Sequence, residues 1–155
     1  MTADDVDFVL AVYRDEGAWN LVELAADTGD DLEALIGALW HFNSEVGTLA
    51  LVSVDEEFFV IVRQSGTNVR IALSDVTTVE DYPLAGDIAD RLSLPDLDDE
   101  EGPQPAGDMA LLDDLGLPAM ELRVLCDDDE LYPDEVLGQV AERLGFGDEY
   151  SAIVW

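Results

Sequence analysis

The chain is strongly acidic and at the same time rich in hydrophobic side chains, and this combination limits what it can fold into. Its 155 residues include 37 Asp and Glu against six Lys and Arg, a formal net charge of −31, yet 48% of the side chains are hydrophobic. A disordered acidic segment lacks the apolar residues that a core requires. The composition therefore predicts a folded domain with a strongly negative surface.

The negative surface argues against two classes of partner. Proteins bind phosphate backbones by neutralising them with Lys and Arg, and here the six basic residues, all arginine, are far outnumbered by carboxylates. We therefore expect no direct binding to nucleic acid and none to an anionic membrane. A basic protein partner, a cation-rich cytoplasm and plain solubility are all compatible with the charge, because net charge governs association and not fold.

Length, cysteine use and the distribution of charge predict a cytoplasmic protein of one domain, with at most a small appendage. A chain of 155 residues can bury a substantial core. The lone Cys126 allows no internal disulfide. The acidic N-terminus does not have the pattern of a signal peptide, and charges interrupt every apolar run before it reaches the length of a membrane span.

Residues 1–92 have the pattern of an antiparallel sheet domain. The turn signal Asp15-Glu16-Gly17 separates two runs rich in β-formers and predicts an N-terminal hairpin of residues 7–13 and 19–24. Three further apolar runs are joined by short polar loops and predict a three-stranded meander: residues 49–54, 58–63 and 69–73.

Two helices are predicted in the same region. The first has a capping box formed by Asp30 and Glu33, and its apolar residues recur at helical spacing: Leu32, Leu35, Ile36 and Leu39. The second has Pro83 in its first turn and carries three apolar residues inward: Leu84, Ile88 and Leu92.

The second half of the chain changes character twice. Residues 93–107 carry prolines around a run of carboxylates and predict a loosely held acidic linker. Residues 108–155 predict a helical C-terminal part that packs on the same core, with short helices over 108–115 and 119–126. A longer helix begins at Pro133, ends before Gly145 and has one apolar face: Val136, Leu137, Val140 and Leu144. A β-rich first part and a helical last part predict an α+β fold.

The sequence lacks the residue patterns of most catalytic sites. Without lysine there is no Walker loop, and no serine lies in a G-x-S-x-G elbow. His41 and Cys126 are too few for zinc and are interpreted as structural, and His41 lacks the following glutamate of zinc deaminases. Asp96, Asp98 and Glu100 match only the first positions of an EF-hand loop. We therefore predict no catalytic residue, no cofactor and no metal site.

The three tryptophans are candidates for core or interface. Trp19 and Trp40 fall on predicted elements and are expected in the core. Trp155 follows an apolar tail that docks either on the protein's own core or on a partner. Docking on the core is favoured, because ordered termini usually need to be tied down.

Three segments of the chain resemble a known family. They are residues 51–63 (LVSVDEEFFVIVR), residues 73–77 with 81–85 (LSDVT and DYPLA), and residues 131–137 with 142–147 (LYPDEVL and ERLGFG). In this order, and with residues 108–117 after an acidic linker, they resemble the tRNA adenosine deaminase-associated proteins of high-G+C Gram-positive bacteria over nearly the whole chain. The resemblance implies association with the wobble-base deaminase, because the genes lie together. It carries over no catalytic residue.

The sequence and the resemblance together predict a non-enzymatic acidic accessory protein that binds and modulates a tRNA adenosine deaminase. A tRNA-deaminating enzyme presents a basic surface to its substrate, and a charge of −31 is complementary to it. The candidate partner-binding residues are Trp155, Tyr132, Asp134 and Glu135. Three alternatives stay open: an acidic mimic of nucleic acid that occupies another basic protein, an enzyme that uses carboxylates alone, and an acidic soluble domain of another role.

Overall fold

The computed structural model describes residues 6–25, 28–29, 31–40, 42, 47–65, 68–75, 82–92, 105–127 and 130–154. The strands in this part are β1 (Val6–Asp15), β2 (Ala18–Leu24), β3 (Thr48–Val54), β4 (Phe58–Ser65), β5 (Asn68–Leu73) and β6 (Ala106–Gly107). The α-helices are α1 (Leu32–Leu39), α2 (Pro83–Leu92), α3 (Ala119–Asp127), α4 (Pro133–Leu144) and α5 (Gly147–Val154), and Asp113–Leu115 form a 3-10 helix. The predicted α+β class is confirmed.

The strands form one antiparallel sheet in the order β2-β1-β3-β4-β5-β6. The predicted hairpin is β1–β2, and its two-residue loop, Glu16 and Gly17, has positive φ at both positions, which matches the twist of paired strands. The predicted meander is β3–β5. Ala106–Gly107, the last two residues of the predicted linker, form the edge strand β6 beside β5.

Helices cover both faces of this sheet. Because successive side chains of a strand point to opposite faces, a strand covered on both sides is buried along its whole length. All of β3 and nearly all of β4 are buried in this way. One face packs against α1 and α2, and the other packs against the C-terminal segment with α3, α4 and α5. We call these the first and the second face.

On the first face, α1 and α2 bury most of the apolar residues that their spacing predicts, while Ile36 and Leu92 are partly buried. The side chain of Asp31 accepts a hydrogen bond from the Glu33 amide, 2.9 Å away, so Asp31 is the N-cap of α1. The predicted capping box at Asp30 is therefore wrong by one residue, because the helix begins at Leu32. Asp30 itself lies outside the described residues.

On the second face, α4 contacts α3, α5, β3 and β4. Its predicted apolar stripe is confirmed, since each member is at most 7% exposed: Val136, Leu137, Val140 and Leu144. Gly145 follows with a φ of 105°, which ends the helix as predicted.

Two arginines hold the segment after β6 on the second face. Arg63 of β4 and Arg70 of β5 lie directly opposite each other in the strand register. The buried guanidinium of Arg63 donates to both carboxylate oxygens of Asp114, at 2.5 and 3.0 Å, and to the Leu111 carbonyl at 2.8 Å. Nε of Arg70 pairs with Asp108 at 2.6 Å. Each aspartate therefore neutralises one of two like charges that would repel across the strands.

These contacts replace the helix predicted for residues 108–115. In an α-helix the Leu115 amide would donate to the Leu111 carbonyl. Here the Leu111 carbonyl accepts from Arg63, and the Leu115 amide donates to the Leu112 carbonyl at 3.0 Å. Residues 109–112 form turns that lead into the 3-10 helix. The predicted α-helix is wrong here, although the segment does end at Gly116, which has a φ of 117°.

Two of the tryptophans have different surroundings. Trp19 of β2 is partly buried and packs on the core of the second face. Trp40 is 55% exposed, so its expected core position is wrong. It follows Leu39, the last buried residue of α1, and the next helical position turns away from the sheet. Among the helices described here, none is long and apolar enough to cross a membrane.

Candidate functional site

The N-terminus of α4 brings together three of the four residues predicted to bind a partner. Tyr132 precedes the helix and is 58% exposed, while Asp134 and Glu135 lie in its first turn. The Glu135 carboxylate accepts a hydrogen bond from the Tyr132 amide at 3.1 Å, and the Asp134 carbonyl accepts one from the Tyr150 hydroxyl at 2.6 Å. The first hydrogen bond lies within the N-terminus of α4 and the second comes from α5, so both hold the backbone of this helix end in place. Trp155, the fourth residue, lies outside the described residues.

These three residues line a cleft of about 410 Å³, which we call the acidic cleft. The β3–β4 turn, the residue before Tyr132, α4 and α5 supply the rest of its lining: Glu56, Leu131, Gly138, Gln139, Glu142 and Ser151. Four carboxylates line this cleft, and no basic side chain of the described residues does. The cleft therefore places concentrated negative charge beside the exposed ring of Tyr132.

The β3–β4 turn carries Glu56 to the edge of the acidic cleft. Asp55 and Glu56 each have a φ of 52°, a conformation uncommon outside glycine. Two residues from other parts of the chain, Asp7 and Tyr82, hold this turn by hydrogen bonds. The Asp7 carboxylate, at an irregularity in the pairing of β1 with β3, accepts hydrogen bonds from the Glu56 amide and the Ser53 hydroxyl, both at 2.9 Å. The Tyr82 hydroxyl donates to Asp55 at 2.8 Å.

A second cleft, which we call the apolar groove, lies between α3 and α4 and has a volume of about 400 Å³. Its lining is apolar in the middle and charged at the sides: Leu117, Met120, Glu121, Val124, Leu125, Gln139, Glu142 and Arg143. Met120 and Val124 lie one helical turn apart on α3 and are 77% and 63% exposed. Single exposed apolar side chains are common, but two that wall one groove mark a candidate binding site.

The two clefts form one continuous surface, because Gln139 and Glu142 of α4 line both. Glu135, Gln139 and Glu142 are spaced at i, i+4 and i+7, so they form one exposed ridge along α4. Arg143 is already paired with Glu121 across the apolar groove. We call the two clefts and their shared ridge the α4 surface.

The side chains with shifted pKa values line neither cleft, although the hydroxyl of one of them, Tyr150, donates to the Asp134 carbonyl at the acidic cleft. Burial raises the pKa of the Cys126 thiol to about 12, so the thiol is protonated and inert as a nucleophile at neutral pH. Hydrogen bonds from Arg70 and Arg63 lower the pKa of Asp108 and of Asp114. None of these groups lines either cleft.

Metal-binding candidates are few in the part of the chain that the structure describes. There, no group of three or more His, Cys, Asp or Glu side chains is arranged to hold a metal ion. His41 and the acidic run at Asp96, Asp98 and Glu100 lie outside the described residues.

Sequence reasoning did not single out the residues of the apolar groove. The signal for them is present in α3, whose apolar residues point in more than one direction. Leu122 is buried in the second-face core and Leu125 packs against it, whereas Met120 and Val124 point outward. A surface helix normally has one apolar stripe, so a second one indicates a second contact.

Comparison with known proteins gives the chain its family. The model of the Rv3753c-like tRNA adenosine deaminase-associated protein family matches residues 7–147, which include every lining residue of both clefts except Ser151. Protein Rv3753c of Mycobacterium tuberculosis (strain ATCC 25618 / H37Rv) is 39% identical over 157 residues, with 98% of this chain and 90% of the relative covered. No solved structure matches the chain. The chain belongs to the family of Rv3753c-like tRNA adenosine deaminase-associated proteins.

Proposed function

We propose that this protein is a non-enzymatic accessory protein that binds a tRNA adenosine deaminase through the α4 surface and modulates its access to tRNA. The observation that carries the proposal is an apolar groove that adjoins a cleft lined by four carboxylates. Protein interfaces have this form, with apolar contacts at the centre and charge at the rim. The description of the family supplies the class of partner.

Charge supports the same partner class. An enzyme that binds tRNA carries positive charge where the phosphates lie. A protein of net charge −31 is attracted to that surface. Rim carboxylates accelerate the encounter, whereas desolvated apolar contacts hold the complex together. We place the complex in the cytoplasm, where its partner acts on tRNA.

A non-catalytic role is supported by the chemistry of the α4 surface. The lining of the two clefts includes no histidine, cysteine or lysine among the described residues. Histidine is the general base that enzymes use most often, and cysteine and lysine are common nucleophiles. The polar groups that are present are suited to recognising a cationic partner.

The test is calorimetry of this protein with the purified deaminase from the same genome, with and without saturating tRNA. We expect binding without tRNA and its loss with tRNA, because both ligands occupy the same basic surface. Stopped-flow measurements at low salt and at physiological salt, where the Debye length is about 8 Å, should show slower association and little change in dissociation.

Hen lysozyme, a basic protein of unrelated function, is the matched control for non-specific attraction. It should bind weakly at low salt and not at physiological salt. Absence of heat and of co-elution with the deaminase at every salt concentration would overturn the proposal. A ternary complex with tRNA would overturn the competition and leave the association standing.

A further inference from the structure

We infer that the α4 surface docks a single amphipathic helix of the partner, with apolar anchors in the apolar groove and a basic side chain in the acidic cleft. This inference rests on the proposed function and adds to it the chemistry of the docked segment. The two clefts are joined through Gln139 and Glu142, so one continuous segment can occupy both.

The apolar groove selects the anchors. Met120 and Val124 stand exposed on α3, and Leu117 and Leu125 complete the apolar part of the lining. Methionine is flexible and polarisable, so it adapts to the shape of an inserted side chain. Grooves between two helices receive the apolar face of a third helix through residues spaced at i, i+3 or i+4, and i+7. The partner segment therefore presents long aliphatic or aromatic residues at that spacing.

The acidic cleft selects the charge. Glu56, Asp134, Glu135 and Glu142 line it, and Arg143 at the neighbouring groove is engaged by Glu121. Rim charges of one sign reject a partner of the same sign. A second copy of this chain would bring the same carboxylates and another net charge of −31 to the contact, so it is excluded as the occupant. The occupant carries arginine or lysine.

The ridge of α4 sets the spacing between anchor and charge. Glu135 and Glu142 are seven residues apart, which corresponds to about 10 Å along a helix. A partner helix that lies along this ridge reaches both clefts with residues two turns apart. The basic residue is therefore expected about two turns from the main apolar anchor.

The experiment uses the full chain and two synthetic helical peptides of about 15 residues. Both peptides carry leucine at i, i+4 and i+7. One has arginine two turns from the central leucine, and the other has glutamate there. Fluorescence anisotropy should show binding of the arginine peptide only. Val124→Asp should weaken it by about tenfold or more, as expected for a residue at the centre of an interface.

Trp40→Asp is the matched control, because it makes the same charge change at the exposed residue that follows α1, a helix that packs on the opposite face of the sheet. It should leave peptide affinity unchanged. Met120→Glu provides a second groove variant, and circular dichroism checks that each variant is folded. Equal weakening by Val124→Asp and Trp40→Asp would overturn the inference, as would no weakening by either groove variant.

A charge swap tests the acidic cleft. Glu142→Arg should weaken the arginine peptide and permit binding of the glutamate peptide, and the absence of this exchange would overturn the assignment of charge. Failure of the two proposals is distinguishable. If the deaminase binds but ignores Val124→Asp, the docking site is wrong and the association stands. If the peptide behaves as expected but the deaminase does not bind, the docking site stands and the partner is wrong.

Discussion

The indole Nε1 of Trp19 donates a hydrogen bond to the backbone carbonyl of Leu144, 3.0 Å away. Trp19 lies in the edge strand β2, and Leu144 is the last residue of α4. The indole ring also packs on Phe146, with ring centroids 5.2 Å apart. The first hairpin of the chain thereby fixes the end of the helix that carries the α4 surface.

Replacing Trp19 with Phe should lower the free energy of unfolding by about 1–2 kcal/mol. The substitution keeps an aromatic ring but removes the donor to the Leu144 carbonyl, and a net hydrogen bond contributes about 1 kcal/mol. Urea denaturation measures the change. Trp40→Phe serves as the control at an exposed position, and a loss there as large as at Trp19 would contradict the assignment.

Replacing Leu137 with Asp should unfold the C-terminal layer. Leu137 is fully buried in the core of the second face, and an unpaired carboxylate there costs several kcal/mol, enough to remove most of a domain's stability. Gln139→Asp adds the same charge on the exposed ridge of the same helix and should be tolerated. Size-exclusion chromatography and thermal unfolding distinguish the two. A soluble, folded Leu137→Asp variant that loses only its partner would show an interface instead of a core.

Replacing Asp114 with Asn should destabilise the protein by about 1–2 kcal/mol, because it breaks the two-pronged contact with the buried guanidinium of Arg63. Asp113→Asn makes the same change in net charge at the exposed neighbouring residue. Urea denaturation of both variants isolates the pairing from the general relief of negative charge. Equal changes in the free energy of unfolding at the two positions would mean that the pair of Asp114 with Arg63 contributes little to holding the segment.

The pairing of Asp108 with Arg70 should make part of the stability depend on pH. The hydrogen bond from Arg70 lowers the pKa of Asp108 in the folded protein. Its contribution is present above the unfolded pKa, about 3.9, and is lost as pH falls through the lower folded value. The stability difference between the native protein and Asp108→Asn should therefore shrink below about pH 4. In an Arg70→Met background this pH dependence should be much smaller, and its persistence would exclude Arg70 as the cause.

Cys126 should react slowly with iodoacetamide in the native protein. With a pKa raised to about 12 by burial, only about one thiol in ten thousand is ionised at pH 8, against roughly a quarter for an ordinary cysteine. Mass spectrometry of native and urea-unfolded protein measures the two rates. Comparable rates in both states would show that the thiol is accessible in the fold.

Local signals predicted the sheet well. The loop between β1 and β2 contains Gly17, and glycine readily adopts the positive φ that a two-residue hairpin loop requires. The charged triplet Asp55-Glu56-Glu57 separates two apolar runs at the turn between β3 and β4. Pro133 and Gly145 bracket α4 for reasons that act within a few residues of each helix end. Such features depend on neighbours in the sequence and can be read from it.

The features that sequence reasoning missed depend on distant partners. The turns after β6 follow from the Leu111 carbonyl binding Arg63, 48 residues away. Helix α5 has Tyr150 as its one fully buried residue, so no apolar stripe predicts it. Three of the candidate partner-binding residues, Tyr132, Asp134 and Glu135, lie together because they are near neighbours in the sequence at the N-terminus of α4. The second apolar stripe of α3 is visible in the sequence, but the groove that it forms depends on how α3 is placed against α4.

Coverage of the sheet on both sides also affects the protein while it is being made. The sheet is nearly complete once β5 has been synthesised, but the core of its second face needs residues 109–150. At about 5–20 residues per second, the roughly 50 residues after Asp108 take on the order of 2–10 s to emerge from the ribosome. During that time Leu49, Leu51 and Ile61 have no cover from the chain itself. A message truncated between β6 and α4 would therefore yield a sheet with one bare apolar side, a target for chaperones and proteases and not a smaller version of the protein.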